Sequence, residues 1–520
     1  MDVDIIDEEM PQIYSSKAAG KRPRVPVDDA HPFELETYIS SYSGRTYVDR
    51  LLHIMSACPP LAPQALQLAI REAQKGRDTT LYRNIFSAYD RIHADASDEI
   101  PEGPSIATID QKWIQETDAK NQAERSKLEV ELKTYSSNMI KESIRMAHRD
   151  LGSFYRSVGE QAASLKHYTK SREFCTTSQH VLDMCLSVLE LLMEQRSYSH
   201  IGTYVFKAEA ALESATSHRQ AAQQQPEAPA GAAQATRERR SAERERMQSK
   251  LDVATAISYL GQSNYEKAAQ AFLKVGALKG LEEWSGKLIA PGDVAIYATL
   301  CALATFPRPL IKTQVLDNDN FGVYIEQEPY VRELLEAYMN NRFKTVLESL
   351  DRYSTRHYLD VHIASHVLSL TNLIRSKALV QYFQPFSSIR LERMSQAFGW
   401  SVEELEQQVV HLIQTGEIKA RVDRQNKILK AKETDQRAAL FARAIKNGQA
   451  MQAANRKLLL RMRLLIADVL AVVGDDRQQA DLVVKPPKGQ GMMTMSSMPM
   501  DIAMAGMHML HPNGTEEEEG

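Results

Sequence analysis

The sequence predicts a mostly α-helical protein in which a helical repeat array is followed by a winged helix and then by one long C-terminal helix. Three observations lead to this fold class. A helix-pair motif recurs between residues 33 and 386, residues 387–433 show the order strand, helix, helix, strand, strand, and residues 434–473 keep helical periodicity without a proline. With 520 residues, of which 43% are hydrophobic, the chain is long enough for more than one structural unit.

Composition disfavours several functional classes. The formal net charge of −4 argues against bulk nucleic-acid binding as the main task. The most apolar stretch, residues 458–473, is broken by charged side chains and is not expected to span a bilayer. The cysteines form no C-x-x-C pair, so we expect a reducing compartment and neither a disulfide framework nor a zinc site. The four cysteines are Cys58, Cys175, Cys185 and Cys301.

Residues 1–32 are predicted to be a disordered N-terminal tail, because acidic residues are followed by a basic run that contains prolines. Lys21, Arg22 and Arg24 in this run are typical of a short nuclear-import signal. Similar clusters also occur in tails without that role, so both interpretations stay open.

Residues 33–213 are predicted to be helical repeats. The most specific segment follows the tetratricopeptide pattern, in which small residues let two helices approach and aromatic rings fill the space between them. It consists of Leu151, Gly152, Tyr155, Gly159, Ser164 and Tyr168. Weaker echoes at Tyr198, Tyr265 and Phe343 favour a tetratricopeptide-like array over an irregular helical bundle, which would carry the same amphipathic stripes.

The array is interrupted at residues 214–249, which we predict to be a flexible low-complexity insert. Its first part is rich in Gln, Ala and Pro, and residues 237–246 alternate basic and acidic side chains. This alternation favours a solvent-exposed helix face that continues into the next helix at Leu251, rather than a surface for RNA or acidic partners. Residues 250–386 resume the helical repeats and supply the helical part of the following domain.

The predicted winged helix, residues 387–433, contains a second helix without basic residues. We expect a strand at 387–389, helices at 390–399 and 402–415, and strands at 418–422 and 427–431. Ser401 and Glu404 form a capping box for the second helix. From residue 394 to residue 418 there are four glutamates and no Lys or Arg. Because a helix in a DNA groove approaches phosphates, this helix is predicted to bind protein.

The two strands after this helix are basic and leave an alternative function open. A wing of this charge can contact phosphates even beside an acidic helix, so a nucleic-acid-binding winged helix is the rival hypothesis. The basic residues are Lys419, Arg421, Arg424, Lys427, Lys430 and Lys432.

Residues 434–473 are predicted to form one C-terminal helix that enters a bundle. From residue 435 it would extend about 58 Å, and its two apolar stripes require partners on both faces. The side chains predicted to enter the bundle are Leu458, Leu459, Met462, Leu465, Ile466 and Val469. Residues 474–520 are predicted to be a disordered, Met-rich, acidic tail.

The sequence shows no catalytic constellation. The segment from Gly280 to Leu288 resembles a phosphate loop, but it has one residue too many between its glycines and no hydroxyl at Leu288. His362 and His366 have the spacing of a zinc-binding helix, but Ile363 stands where the catalytic Glu would be. We therefore expect no catalytic residue, cofactor or metal, and a scaffold rather than an enzyme.

The order of helical repeats, winged helix and long helix resembles the PCI family, which supplies subunits of the proteasome lid, the COP-nine signalosome and an initiation factor. Seven segments are similar to the subunit-one family of the signalosome: residues 293–306, 315–321, 331–334, 377–382, 385–386, 420–423 and 426–429. The paralogous subunit of the proteasome lid shares part of this pattern and is the main alternative.

The resemblance implies a subunit without activity of its own. In such complexes a zinc centre in another subunit removes the Nedd-type modifier from cullin-RING ubiquitin ligases. Winged helices pack side by side, C-terminal helices join one bundle, and the implied neighbours are signalosome subunits two and three. We expect the protein in the nucleus and the cytoplasm. On physical grounds the sheet offers a core and a partner-binding edge, with Ile418, Ala420, Val422, Ile428 and Leu429.

Overall fold

The computed structural model describes residues 25–95, 100–222, 230–432 and 436–466. It divides into two compact units, residues 1–432 and residues 433–520. The described residues are mostly helical, which confirms the predicted fold class. Among the described helices, none combines the length and the hydropathy that crossing a lipid bilayer requires.

The first unit begins with a group of N-terminal helices around its own hydrophobic core. Apolar residues recur every three or four positions, so that Leu51, Leu66 and Ile85 are fully buried between helices. The helices are α1 (Leu35–Ser40), α2 (Gly44–Ala57), α3 (Ala62–Ala73), α4 (Thr79–Asp95) and α5 (Gly103–Ile106).

The prediction of a disordered tail is corrected at its C-terminal end, where Val25 and Pro26 contact the folded part of the chain. Val25 is 8% exposed in the N-terminal core, and its N–H donates to the Ala57 carbonyl at 3.1 Å. Thr355 Oγ1 donates to the Pro26 carbonyl at 2.7 Å. The three residues of the predicted import signal, Lys21, Arg22 and Arg24, lie outside the described residues.

A repeat array follows, in which each helix packs mainly against its sequence neighbours. Its helices are α6 (Gln111–Ser137), α7 (Lys141–Val158), α8 (Gln161–Ser171), α9 (Ser178–Glu194), α10 (Tyr198–Ala222), α11 (Ala230–Gly261) and α12 (Tyr265–Lys274). The tetratricopeptide motif lies in α7 and α8 as predicted. Gly152 makes room for Tyr168, whose ring would lie 2.6 Å from a Cβ at position 152, and Ser164 Oγ donates to the Gly152 carbonyl at 2.7 Å.

The prediction of a flexible insert at residues 214–249 is corrected, because helix covers most of it. Helix α10 continues to Ala222 and α11 begins at Ala230, while residues 223–229 lie outside the described residues. Ala, Gln, Arg and Glu are all favourable in helices, so a low-complexity segment of this composition supports helix. The mixed-charge run at residues 237–246 lies within α11, which extends through Leu251.

The next helices surround a central apolar helix, α13, in which every residue from Gly292 to Ala304 is buried. A helix that is apolar on all faces must be enclosed by others. The helices are α13 (Pro291–Thr305), α14 (Arg308–Leu310), α15 (Asp319–Ile325), α16 (Pro329–Met339), α17 (Phe343–Arg352), α18 (Ser354–Tyr358) and α19 (Val367–Phe383). Short 3₁₀ helices occur at Pro59–Leu61, Arg172–Phe174 and Leu278–Gly280, and a π-helix at Ile311–Leu316.

The first unit ends in the winged helix, each of whose predicted elements lies within two residues of the expected bounds. The elements are β1 (Ser388–Arg390), α20 (Leu391–Phe398), α21 (Val402–Gln414), β2 (Ala420–Asp423) and β3 (Ile428–Ala431). The strands form an antiparallel sheet in the order β1-β3-β2, with Ile389 and Val422 both opposite Leu429.

The described part of the second unit is one helix, α22 (Gln436–Ile466), of 31 residues. At 1.5 Å per residue it is about 46 Å long. The rest of the predicted C-terminal helix, residues 467–473, and the predicted tail at 474–520 lie outside the described residues.

Candidate assembly surfaces

An aromatic cluster attaches the winged helix to the helices that precede it. Phe398, the last residue of α20, stacks on Phe343 of α17 with ring centroids 5.3 Å apart. Tyr382 of α19 contacts the same ring edge-on at 5.4 Å. Gly399 then ends α20 with a φ of 72°. The winged helix is therefore a fixed extension of the helical array.

Helix α21 begins with the predicted capping box. Ser401 Oγ accepts the N–H of Glu404, and Glu404 Oε2 accepts the N–H of Ser401, both at 3.3 Å. The two bonds satisfy backbone donors that would otherwise be free at the first turn of the helix. The buried face of α21, with Leu405, Val409 and Leu412, packs into the core of the first unit.

Carboxylates of α21 and of β2 pair with half of the basic residues of the wing. Three of the six basic wing residues face carboxylates, and the hydrogen bond to Glu406 raises the pKa of Arg424. A cation that already has a carboxylate partner gains less from a phosphate. The pairs are Arg424 with Glu406 at 2.8 Å, Lys427 with Glu403 at 3.6 Å and Lys430 with Asp423 at 4.0 Å.

The structure separates the five residues predicted to bind a partner at the sheet. Ile418, Ala420 and Leu429 are 4%, 6% and 0% exposed and belong to the hydrophobic core. Val422 and Ile428 are half-buried. The partner-binding role is therefore corrected for the three buried side chains, because a partner cannot reach them while the core is closed. These three side chains are part of the hydrophobic core on which the sheet packs.

The sheet has one unpaired edge along β1 and another along β2. Strand β3 lies in the centre, and no further strand of the described chain pairs with the outer side of β1 or of β2. The N–H and C=O groups of an unpaired edge can bind a strand from another domain. The side chains of Lys419 and Arg421 along β2 are exposed.

Helix α22 exposes an unusual amount of apolar surface. Ten of its large apolar side chains are 40–68% exposed, and they include four of the predicted bundle residues. The ten are Leu440, Phe441, Ile445, Met451, Leu458, Leu459, Leu460, Met462, Leu464 and Leu465. Of the two other predicted bundle residues, the side chain of Ile466 and the whole of Val469 lie outside the described part.

The histidines with zinc-helix spacing are hydrogen-bonded to tyrosines. His362 Nδ1 lies 2.9 Å from the Tyr198 hydroxyl, and His366 Nδ1 lies 3.2 Å from the Tyr265 hydroxyl. Burial lowers the pKa of His362 to about 3 and also lowers that of His366. In the part of the chain that the structure describes, no group of three or more His, Cys, Asp or Glu side chains is arranged to hold a metal.

The segment that resembles a phosphate loop is packed against the array. Trp284 is 1% exposed and its Nε1 donates to Glu190 at 2.8 Å. A Cβ at Gly280 would lie 3.0 Å from Ser249 Oγ, so protein atoms occupy the space beside this glycine. Burial also raises the pKa of all four cysteine thiols, to about 11 for Cys185, which disfavours a reactive thiolate.

Sequence reasoning missed a buried ion cluster that joins the N-terminal helices to the helices around α13. Arg50 of α2 is 1% exposed and binds Asp293 of α13 at 2.9 Å and Asp360, which follows α18, at 2.5 Å. The Tyr42 hydroxyl donates to Asp293 at 2.7 Å. Burial opposes ionisation of Asp360, but the charge of Arg50 outweighs it and holds the pKa of Asp360 well below its usual range. The only sequence signal was a charged residue on an otherwise apolar helix face.

Comparison with known families defines the class of protein. A family model described as PCI domain matches residues 326–433, which contain the winged helix and the helices before it. A second model, described as 26S proteasome subunit RPN7, matches residues 110–314, from the end of the N-terminal helices to the π-helix. The chain is thus a PCI-domain protein with a preceding helical array.

Individual relatives narrow the class to one family. The chain is 35% identical over 446 residues to COP9 signalosome complex subunit 1 of Arabidopsis thaliana, covering 85% of this chain and 92% of that protein. It is 31% identical over 472 residues to subunit 1b of Drosophila melanogaster, covering 83% and 85%. The 26S proteasome non-ATPase regulatory subunit 6 homolog of Arabidopsis thaliana is 19% identical over 345 residues, covering 66% and 81%. The chain belongs to the COP9 signalosome subunit 1 family.

Proposed function

We propose that this protein is a non-catalytic scaffold subunit of the COP9 signalosome, which it joins through its winged helix and α22. The observation that carries the proposal is the exposure of ten large apolar side chains on α22. Apolar surface of this extent is unfavourable in water and marks a site that another protein covers. Relatives that match more than four fifths of the chain are named as signalosome subunits, whereas the proteasome-lid relative is more distant.

The proposed neighbours are signalosome subunits two and three at the winged helix, and helices of other subunits in a C-terminal bundle around α22. The unpaired edge of β2 supports a side-by-side contact, because a strand of the next subunit can extend the sheet. The exposed Lys419 and Arg421 along this edge favour an acidic neighbour.

The chemistry of the complex, removal of the Nedd-type modifier from cullin-RING ligases, is assigned in this proposal to another subunit. The hydrogen-bonded histidines and the raised thiol pKa values support that assignment. Contact with cullin-RING ligases is then indirect, and the proposed location is the nucleus and the cytoplasm.

Removing α22 tests the scaffold role. Deleting residues 435–520 should release the protein from its complex while the first unit stays folded, as measured by co-purification with tagged signalosome subunits and by circular dichroism. A sharper variant keeps the full chain and combines Leu458→Gln, Leu459→Gln, Met462→Gln and Leu465→Gln, since Gln preserves helix propensity while removing apolar surface. Arg456→Gln with Lys457→Gln on the same helix is the matched control. Unchanged co-purification of the quadruple variant would sink the proposal.

Nucleic-acid binding is the second function to test, because three wing cations have no carboxylate partner in the pairs above. Salt-titrated binding of the full chain to duplex DNA decides it. We expect no binding at physiological ionic strength, whereas a measurable affinity with a steep salt dependence would favour nucleic-acid binding.

Mass spectrometry of the purified native complex distinguishes a signalosome subunit from a proteasome-lid subunit. Cullins among the co-purifying proteins indicate the signalosome, and proteasome ATPases indicate the lid.

A further inference from the structure

A cleft lies where the N-terminal helices meet the repeat array, between α2, α3 and α4 on one side and α7, α8 and α9 on the other. Its volume is about 510 Å³, which is in the range of sites that hold a small ligand or the anchoring side chains of a peptide. Its wall is mainly apolar, with Val48, Leu81 and Tyr168 at the inner end. No described residue of the winged helix lines this cleft.

The ion pairs around the cleft differ in how far they are exposed to solvent. Two of the pairs are recessed: Arg45 with Asp78 at 2.9 Å, and Arg156 with Glu194 at 2.5 Å. In these pairs the acids are 11% and 8% exposed. At the mouth, Lys75 is 73% exposed and its partner Glu72 only 16%. Arg77 is 52% exposed and its partner Glu124 is 42% exposed. In both pairs at the mouth the cation is therefore more exposed to solvent than its carboxylate partner.

The cations at the mouth keep hydrogen-bond donors for a ligand. Lys75 has three ammonium donors and gives one to Glu72 at 2.7 Å. Deeper in, Arg45 is held by two carboxylates, with Nη1 donating to Asp78 at 2.9 Å and Nε lying 3.6 Å from Asp49.

We propose that this cleft is a docking site for an acidic peptide segment of a partner protein that anchors one or two aliphatic side chains. The apolar inner wall takes the aliphatic group, and Lys75 and Arg77 at the mouth bind flanking carboxylates. The site is independent of the assembly surfaces, because it lies on the N-terminal helices and on α7, α8 and α9.

Three fluorescein-labelled hexapeptides test the chemistry on the full chain by fluorescence polarisation: EELLEE, EEAAEE and KKLLKK. Only EELLEE should bind saturably, at least about tenfold more tightly than the other two, because it alone carries both the charge and the anchor. A version with a photoactivatable leucine should crosslink to α2, α4 or α8, as located by mass spectrometry. Equal affinities, no saturation up to millimolar protein, or crosslinks confined elsewhere would overturn the proposal.

Charge reversal at the mouth of the cleft tests whether Lys75 and Arg77 contribute to the affinity for the peptide. Lys75→Glu with Arg77→Glu should weaken EELLEE binding at least about tenfold, since both side chains are exposed and their loss leaves the core intact. Lys312→Glu with Arg332→Glu, also exposed but far along the chain, is the matched control and should bind normally. A thermal melt shows that each variant is folded. Full binding by the mouth variant contradicts the assignment.

Discussion

Arg50 carries a positive charge into a site where only 1% of its side chain is exposed, between Asp293 and Asp360. Its ring neighbour Tyr42 lies 4.0 Å from the guanidinium carbon, so the charge is enclosed on every side by acids and aromatic faces. Such a cluster holds α2 against α13, because Arg50 is the nearest cation to both carboxylates. The other arginine beside them, Arg356, lies 3.3 Å from Asp293 and 3.9 Å from Asp360. Removing one charged residue of the cluster is therefore expected to destabilise the fold, because its partners are left buried without it.

Arg50→Met should destabilise the first unit by about 3–5 kcal/mol, because two buried carboxylates lose their main counter-ion. The measurement is the urea midpoint of the full chain, followed by circular dichroism. Arg332→Met, which removes a guanidinium that is 67% exposed and paired only with Glu336, should change stability by less than about 0.5 kcal/mol. Equal losses of stability in the two variants would show that the buried cluster contributes no more to stability than the exposed pair of Arg332 and Glu336.

Two glycines give opposite expectations for the same substitution. A Cβ at Gly152 would lie 2.6 Å from the Tyr168 ring, so Gly152→Ala should cost about 1–3 kcal/mol by forcing α7 and α8 apart. At Gly202, in α10, a Cβ meets nothing within 4 Å, so Gly202→Ala should stabilise the protein by about 0.5–1 kcal/mol through helix propensity. Thermal melts of the two variants check both signs, and a stabilised Gly152→Ala would contradict the packing account.

At the scale of helices and strands, the features that could be predicted from the sequence are those whose cause is local. The capping box joins Ser401 to Glu404 across three residues, and the strands of the wing are set by alternation and a short turn. The pairing of the wing with the acidic helix, and of Arg50 with Asp293 across 243 residues, depends on the tertiary fold. The flexible insert was predicted wrongly from composition, although its residues favour helix individually.

The pair of helices α7 and α8 carries a histidine contact that makes stability depend on pH. His148 Nδ1 lies 3.1 Å from His167 Nδ1, so one ring must donate and the other accept. Burial, and next the charge of His167, lower the pKa of His148 to about 4. The unfolded chain binds this proton near pH 6.5, so the contribution to stability is full above pH 6.5 and is lost as the pH falls towards 4.

We therefore expect the free energy of unfolding to fall between pH 7 and pH 5, by up to about 1.4 kcal/mol per pH unit for each such histidine. His148→Phe should flatten this slope, because it removes one proton-binding site and keeps an aromatic ring against Phe174. His411→Gln, on the exposed face of α21, should leave the slope unchanged. Urea midpoints at several pH values give the slopes, and identical slopes for all three proteins would exclude the histidine pair as the cause.

At the scale of the whole molecule, the first unit has separate hydrophobic cores in its N-terminal helices and in its array, yet it forms one compact unit. The N-terminal core includes Ala290, which precedes α13, and Leu359, which follows α18, and the Arg50 cluster lies beside them. Unfolding of the N-terminal helices alone would expose these apolar groups and leave Asp293 and Asp360 without Arg50. The two cores should therefore unfold together.

Hydrogen exchange followed by mass spectrometry tests this coupling without altering the protein. In the unmodified chain, peptides from α3 and α13 should exchange through the same opening and show equal protection at long times, because α3 packs on α2 and Arg50 of α2 is paired with Asp293 of α13. In Arg50→Met, α3 should exchange faster than α13, since the N-terminal helices can then open while the all-buried α13 stays enclosed. Arg332→Met should keep the two protections equal. If α3 already exchanges faster in the unmodified chain, the ion cluster does not couple the cores, and the N-terminal helices are an independently opening layer.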